Sequence, residues 1–580
     1  MNQSIPETLR EVVADHVSRV YESLDSAELA EQLVGFMGVA ADSPHHPPHE
    51  NHWDNNDVWM ITYGDSIVCK QEKPLQTLKR FIDDHLADTI TGVHILPFFP
   101  FSSDDGFSVI NYAQVNDSLG SWADIQAIGE QYDVMADLVI NHCSARSQWF
   151  ENFKQCKHPG KDFFIESDPE LDLSEVVRPR TSELLKPTQT LDGVKHVWCT
   201  FSHDQVDLNF ANPAVLIEMV KTLRLYIDQG VRIFRLDAVA FLWKEIGTDC
   251  IHLPKTHEIV RLLRTLIVAR SPEAIVITET NVPNHENLSY FGNANEAHAV
   301  YNFSLPPLVL HALTAGTSEH LKRWQMSMPP AQFGTFYFNF LASHDGIGLR
   351  PAKGLLSKNE INALAETMQN HGAKISWRSV GNADPEPYEI NVALFDALKG
   401  THEGIDKWQV RRFICAHAMM LALEGIPGVY VHSLFGTEND YARMDLTRHN
   451  RAINRHKWQL DELLKQITTK PNHHAKVFSK MRELIQLRRK QPAFHPNASQ
   501  YTLHLGDEVF AFWRQSIRRD QSIFCIHNVT NRKIDIPLSS INLIDLESWH
   551  DLVSGRPCDP ENGMLTLKPY RFVWLSNNLH

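Results

Sequence analysis

Val231-Arg232-Ile233-Phe234-Arg235-Leu236-Asp237 reads as a buried strand that ends in an arginine and a carboxylate. Val231, Ile233, Phe234 and Leu236 supply the apolar run of a strand covered on both faces. Arg235 and Asp237 are two positions apart, so their side chains point the same way. A cation beside a carboxylate favours its ionised form. An ionised carboxylate at the mouth of a barrel strand is what covalent glycoside chemistry uses, although an ion pair at a strand end is also a common structural device. Two further apolar runs end alike. Ala274-Ile275-Val276-Ile277-Thr278 leads into Glu279, and the run from Phe336 leads into Ser343-His344-Asp345-Gly346. A βα unit takes about 30 residues or more. The gap between Asp237 and Glu279 therefore suits adjacent strands, and the gap between Glu279 and Asp345 leaves space for one more unit.

Working outward, strand-like runs alternate with helical patterns. Residues 58–63, 92–97 and 134–140 are candidate strands one to three, and residues 231–237 and 274–279 are four and five. Residues 299–303, 335–343 and 428–431 complete eight. Residues 215–227 and 257–269 are helical between them. Such alternation predicts a parallel sheet, here closed as a (β/α)8 TIM barrel of the α/β class. Two gaps, residues 146–207 and 350–400, are too long for ordinary loops and follow strands three and seven, on the face where barrel active sites lie. Residues 6–38 read as helix, and Pro44, Pro47 and Pro48 mark a stiff linker. From about residue 497 apolar alternation predicts a small antiparallel β domain. The expected organisation is a helical extension and linker over 1–50, a catalytic barrel over 51–495 with its two insertions, and a β domain over 496–580.

The composition narrows the function. With 55 basic and 70 acidic residues the net charge is −15, and no basic run stands out, which argues against nucleic acid. An anionic substrate must then be met by local arginines, because the global field repels it. The eight cysteines lack metal-type spacing and read as thiols of a reducing, cytoplasmic compartment. No secretory signal and no membrane-length apolar run is present, so no membrane association is expected. No nucleotide-type glycine loop and no hard-cation carboxylate cluster stands out, so neither cofactor nor metal is expected.

The ordered trio Asp237, Glu279 and Asp345 resembles glycoside hydrolase family 13, the α-amylase superfamily. Asp137-Leu138-Val139-Ile140-Asn141-His142 and Asp104-Asp105-Gly106-Phe107 look like two further motifs of that family. The likeness covers roughly residues 50–580. Within the family, Arg235-Leu236-Asp237-Ala238-Val239, Lys244-Glu245, His344-Asp345-Gly346-Ile347-Gly348 and Arg451-Ala452-Ile453-Asn454-Arg455 resemble the sucrose phosphorylase group. The long N-terminus, residues 278–283 and Pro387-Tyr388-Glu389-Ile390-Asn391 look most like its glucosylglycerate phosphorylase branch.

The resemblance implies roles. Asp237 matches the nucleophile, Glu279 the general acid/base, and Asp345 the carboxylate that grips sugar hydroxyls. Arg235 would hold Asp237 ionised. His142 and His344 match histidines that bond glucosyl hydroxyls, Asp104 and Arg451 a clamp on the far hydroxyls, and Phe107 and Phe201 aromatics lining the glucose site. Arg180, with Arg178 second, matches an acceptor loop that takes anions through a guanidinium fork. Tyr388 and Glu389 fall in the second insertion, and glutamate where sucrose phosphorylases carry glutamine argues against fructose. The implied partners are a small α-glucoside, inorganic phosphate, glucose 1-phosphate and glycerate, in a monomer or homodimer. The implied reaction is reversible, retaining phosphorolysis of 2-O-α-D-glucosylglycerate to α-D-glucose 1-phosphate and D-glycerate. Sucrose, sucrose 6-phosphate and glucosylglycerol phosphorylase, or a hydrolase or transglucosylase, are the alternatives.

Overall fold

The computed structural model describes residues 8–43, 50–179, 182–380, 383–469, 471–541, 548–558 and 563–578. Eight parallel strands close into a barrel in chain order: β1 (Trp59–Thr62), β2 (Gly92–Ile95), β3 (Asp133–Val139), β4 (Val231–Asp237), β5 (Ile275–Thr278), β6 (Ala299–Tyr301), β7 (Phe336–Asn339) and β8 (Ile426–Tyr430). β8 returns to pair with β1. β4 has the expected ends, and the other strand ends differ from the sequence expectation by up to four residues, most at β7, where the chain leaves the barrel at Phe340 before reaching His344. β6 occupies the space that the gap between Glu279 and Asp345 leaves.

Three connecting helices begin on proline, Pro74–His85, Pro213–Asp228 and Pro254–Arg270. Proline suits the first helical turn because its missing N–H would have no partner there. Asn212 caps the second of these by accepting from the Ala214 N–H at 3.0 Å. The apolar faces of the helices cover a core that runs through the barrel, with Ile95, Ala136, Phe234, Val276 and Phe338 fully buried.

The N-terminal segment is two helices rather than one. Leu9–Val20 ends at Tyr21, and Asp25 starts Ser26–Met37 by accepting from the Ala27 and Glu28 N–H groups. The apolar stripe runs through both, so periodicity alone hides the break. His16 meets Glu258 at 2.7 Å and Arg224 donates to the Met37 carbonyl at 2.9 Å, which pins the pair to the barrel helices.

The insertion after β3 carries a hairpin, Leu185–Thr190 with Gly193–Trp198, and a strand, Gln205–Asp207, that pairs with His142–Ser144. The insertion after β7 carries the helix Lys358–Asn370 and the hairpin Lys374–Val380 with Ala383–Asn391, which pairs back onto Ile347–Gly348. The C-terminal region forms a six-stranded antiparallel sheet and a two-stranded one, and the buried Arg514 ties it to the barrel through the Ala422 carbonyl at 2.7 Å. No helix among the described residues is long and apolar enough to cross a membrane. The eight cysteines form no disulfide.

Candidate active site

Asp237 is the last residue of β4, Glu279 follows β5 directly, and Asp345 follows β7. All three line one cavity at the C-terminal end of the barrel, with Asp104, Phe107, His142, Phe201, His344, Tyr388 and Arg451. Ten of the residues singled out in the sequence therefore meet in one place, although the chain between them runs through six strands.

Register explains the charge arrangement. Asp137 on β3 lies opposite Arg235 on β4, and Val139 opposite Asp237. The Arg235 guanidinium donates to Asp137, to Asp237 at 2.8 Å, and stands 3.8 Å from Glu279. Asp137 is wholly buried and also meets His94 at 2.8 Å. Burial raises its carboxyl, but Arg235 and His94 together hold it below the usual range. Burial is likewise the largest influence on Asp237 and pushes its carboxyl well above the usual range; Arg235 opposes this, and Glu279 and Asp137 add to it. Burial also raises Glu279, with Arg235 opposing and Asp345 adding. Two such carboxyls titrate as one system. The guanidinium is closer to Asp237 than to Glu279, yet burial raises both carboxyls. The expectation that Arg235 simply holds Asp237 ionised is thus incomplete, because Asp137 claims part of the same cation.

Backbone strain sits at the same point. Ala238 has φ +52°, a left-handed conformation costly for a residue with a Cβ. That turn aims its N–H at Glu279, 3.0 Å away.

Phe107 stacks on the His344 ring with centroids 4.8 Å apart and planes 6° from parallel. Burial keeps both His344 and His142 neutral by lowering their pKa values, His344 strongly so with Arg455 and Arg235 nearby. His142 bonds the Phe107 carbonyl at 2.9 Å, and its ring lies 5.1 Å from that of Phe201. Asp104, also left-handed at φ +53°, accepts weakly from Gln205 at 3.5 Å.

Glu389 departs from the role expected of it. It is 3% exposed, and both its oxygens bond Arg451, at 2.9 and 2.8 Å, while Oε1 also takes the Gly346 N–H at 3.2 Å. Arg451 in turn bonds Asp345 at 2.5 Å. Glu389 thus stands behind the cavity wall and orients Arg451. Arg178 also differs: its guanidinium bonds the Ser182 carbonyl and hydroxyl and the Cys199 carbonyl, and the next residue, Pro179, is the one that lines the cavity. Arg180 lies outside the described residues.

Three residues to which the sequence assigned no role matter here. Arg350 and Asn281 line the cavity. Lys244 is buried and places its ammonium 2.6 Å from Asn141 Oδ1 and 2.7 Å from Asp207 Oδ2. It fills the space beside the third-strand asparagine with a positive charge of the protein's own. The described residues also include two His/Glu groups elsewhere, His311 with His320 and Glu360, and Glu438 with His473 and His474. Neither touches the cavity.

The arrangement provides two carboxyls that share one arginine, a third carboxylate held by another arginine, and aromatic and imidazole walls. That set suits displacement at an acetal carbon. Comparison with known proteins agrees. The family model "Alpha amylase, catalytic domain" matches residues 85–349, a span that takes in Asp237, Glu279 and Asp345. The chain is 41% identical to a glucosylglycerate phosphorylase of Escherichia coli K12, over 98% of this chain and 100% of that one. It is 41% identical to one from Allomeiothermus silvanus, over 99% and 100%. The crystal structure of sucrose 6F-phosphate phosphorylase from Thermoanaerobacter thermosaccharolyticum superposes with a TM-score of 0.72 at 24% identity, covering 89% of this chain and 98% of that one, which shows the shared fold. The chain belongs to the α-amylase family, glycoside hydrolase family 13, in the branch that holds the glucosylglycerate phosphorylases.

Proposed function

We propose that the protein is a retaining phosphorylase that interconverts 2-O-α-D-glucosylglycerate plus phosphate with α-D-glucose 1-phosphate plus D-glycerate. The observation that carries this is the convergence of Asp237, Glu279 and Asp345 on one cavity, in a chain alike over nearly its full length to glucosylglycerate phosphorylases.

In this mechanism the glucosyl unit sits among Phe107, His142, Phe201 and His344. Arg451, held by Glu389, pairs with Asp345 and grips the sugar hydroxyls. Asp237 attacks the anomeric carbon. Glu279 gives its proton to the leaving glycerate oxygen, and a glucosyl ester forms on Asp237. Phosphate then enters, Glu279 takes the proton from the attacking oxygen, and the ester opens with a second inversion. Two inversions retain the α configuration. Lys244 and the buried Asn141–Asp207 pair hold the wall behind His142.

The experiment is to follow glucosylglycerate consumption with and without phosphate while identifying the anomer released. The reading requires α-glucose 1-phosphate and near arrest when phosphate is withheld. Rapid release of free glucose without phosphate would assign the same carboxylates to a hydrolase. A β-phosphate product would remove the double displacement.

A further inference from the structure

Of the two groups of His and Glu side chains outside the cavity, one has its donor atoms to spare. His311 from the helix Leu305–Ala315, His320 from the helix Glu319–Ser327 and Glu360 from the helix Lys358–Asn370 bring one donor atom each within 4.8 Å of one another. In the other group each imidazole already bonds a main-chain carbonyl, His473 that of Gly436 at 3.2 Å and His474 that of Phe435 at 2.8 Å.

The side chain of His311 has one polar contact among the described residues, from Nε2 to Glu360 Oε1, and at 3.9 Å it is too long for a hydrogen bond. His320 Nε2 meets the same oxygen at 2.7 Å, and its Nδ1 is buried without a partner. Nothing at Nδ1 fixes the tautomer, so the ring proton can sit there and leave Nε2 as a lone pair. Glu360 is aimed by its other oxygen. Oε2 accepts from the Ser357 N–H at 2.8 Å and from the Ser357 hydroxyl at 2.7 Å, in the capping box that starts the helix Lys358–Asn370. Oε1 is left to the two imidazoles.

Two imidazoles and a carboxylate form a zinc ligand set that leaves a fourth position to water. A tetrahedral zinc sets its nitrogen and oxygen donors about 3.4 Å apart. The two His–Glu distances, 2.7 and 3.9 Å, straddle that value. The imidazole rings converge from different directions, with planes 71° apart. The histidine side chains are 8% and 11% exposed, and Glu360, at 34%, leaves the way in from solvent. The net charge of −15 favours the approach of a cation. We propose that His311, His320 and Glu360 bind a zinc ion. The ion ties the insertion after β7, whose hairpin carries Glu389, to the helix that follows β6. In the metal-free enzyme the His320–Glu360 contact closes the set, so a chelator alone removes nothing and zinc acts as an added brace. The proposal does not depend on the reaction assigned above.

The test adds zinc or cobalt(II) salt to the full-length enzyme after chelator treatment and removal of the chelator. Competition with a chromophoric indicator should show one tight zinc per chain, and cobalt(II) should give the intense visible bands of a tetrahedral ion. Excess zinc should raise the Tm of the wild type by about 2 °C or more. His311→Gln keeps the His320–Glu360 contact and the capping box, so it should fold as the wild type does. It should weaken zinc at least about 30-fold and lose both the cobalt bands and the Tm gain. Glu438→Gln, in the other group, should bind zinc as the wild type does. Zinc affinity equal within threefold in wild type and His311→Gln overturns the proposal, because the ion then sits on others of the 31 histidines. Cobalt(II) without tetrahedral bands overturns it too, as does a loss of the tight zinc in Glu438→Gln.

Discussion

Glu389 bonds Arg451 with both carboxylate oxygens, at 2.9 and 2.8 Å, on the side away from the substrate cavity. Glu389 is buried while Arg451 keeps 22% of its side chain exposed, and removing one partner of a fully buried pair costs about 3–5 kcal/mol because it leaves the other charge uncompensated, so the cost here is at most that. Glu389→Gln therefore loosens Arg451 rather than reshaping the acceptor wall. We predict a fall in kcat/KM of roughly 100-fold for all acceptors and a lower Tm. The glycerate-to-glycerol preference should stay within threefold. A preference that shifts tenfold while the donor KM holds would make Glu389 an acceptor ligand.

Asp237 and Glu279 should separate by donor. Asp237→Asn removes the covalent step and costs about four powers of ten or more with every donor. Glu279→Gln costs about 10²–10⁴-fold with glucosylglycerate, whose leaving oxygen needs a proton, and much less with α-glucosyl fluoride, whose leaving group does not. Equal losses on both donors would contradict the acid assignment.

The raised carboxyl of Asp237 also makes a claim about stability. A carboxyl whose pKa is higher in the folded than in the unfolded state has no charge to bury below the unfolded value, about 4. As pH climbs from there through the folded value, the folded state loses stability relative to the unfolded one. Asp237→Asn escapes that cost. Its Tm should exceed that of the wild type at pH 7 by a few degrees, and the gap should close as pH falls toward about 4. Thermal melts across that interval decide the point, and a gap that widens at low pH would show that Asp237 is stabilised in its charged form.

Lys244 joins Asn141 and Asp207, with its ammonium 2.7 Å from the Asp207 carboxylate. Lys244→Met should lower stability by about 3 kcal/mol, since Asp207 keeps its bonds to Thr200 and Asn141 but loses its counter-charge. A chelator should leave the activity and Tm of the wild type unchanged. A chelator-induced drop reversed by calcium would show that a metal ion shares this place.

The barrel was legible because its strands are mostly apolar runs and several connecting helices carry a start signal, as at Asn212-Pro213. The carboxylates at 237, 279 and 345 were legible because they close such runs. What sequence left hidden depends on contacts across the fold. Arg350 reads as a loop residue until the loop after β7 is seen to reach the β5 loop at Asn281. Glu389 and Arg451 meet across 62 positions, and no local pattern announces the pair. Lys244 became meaningful only when Asn141 and Asp207 closed around it. The break between the two N-terminal helices was missed because the apolar stripe continues through it while Asp25 restarts the backbone.

The central claim is the identity of the acceptor, and a competition measures it most directly. The wild-type enzyme is given glucose 1-phosphate with equimolar D-glycerate, glycerol and fructose, and the glucosides formed are identified by NMR. The account predicts that the α-glucoside of glycerate, linked through O2, dominates the products. Sucrose as the main product would contradict it and place the protein with the sucrose phosphorylases instead.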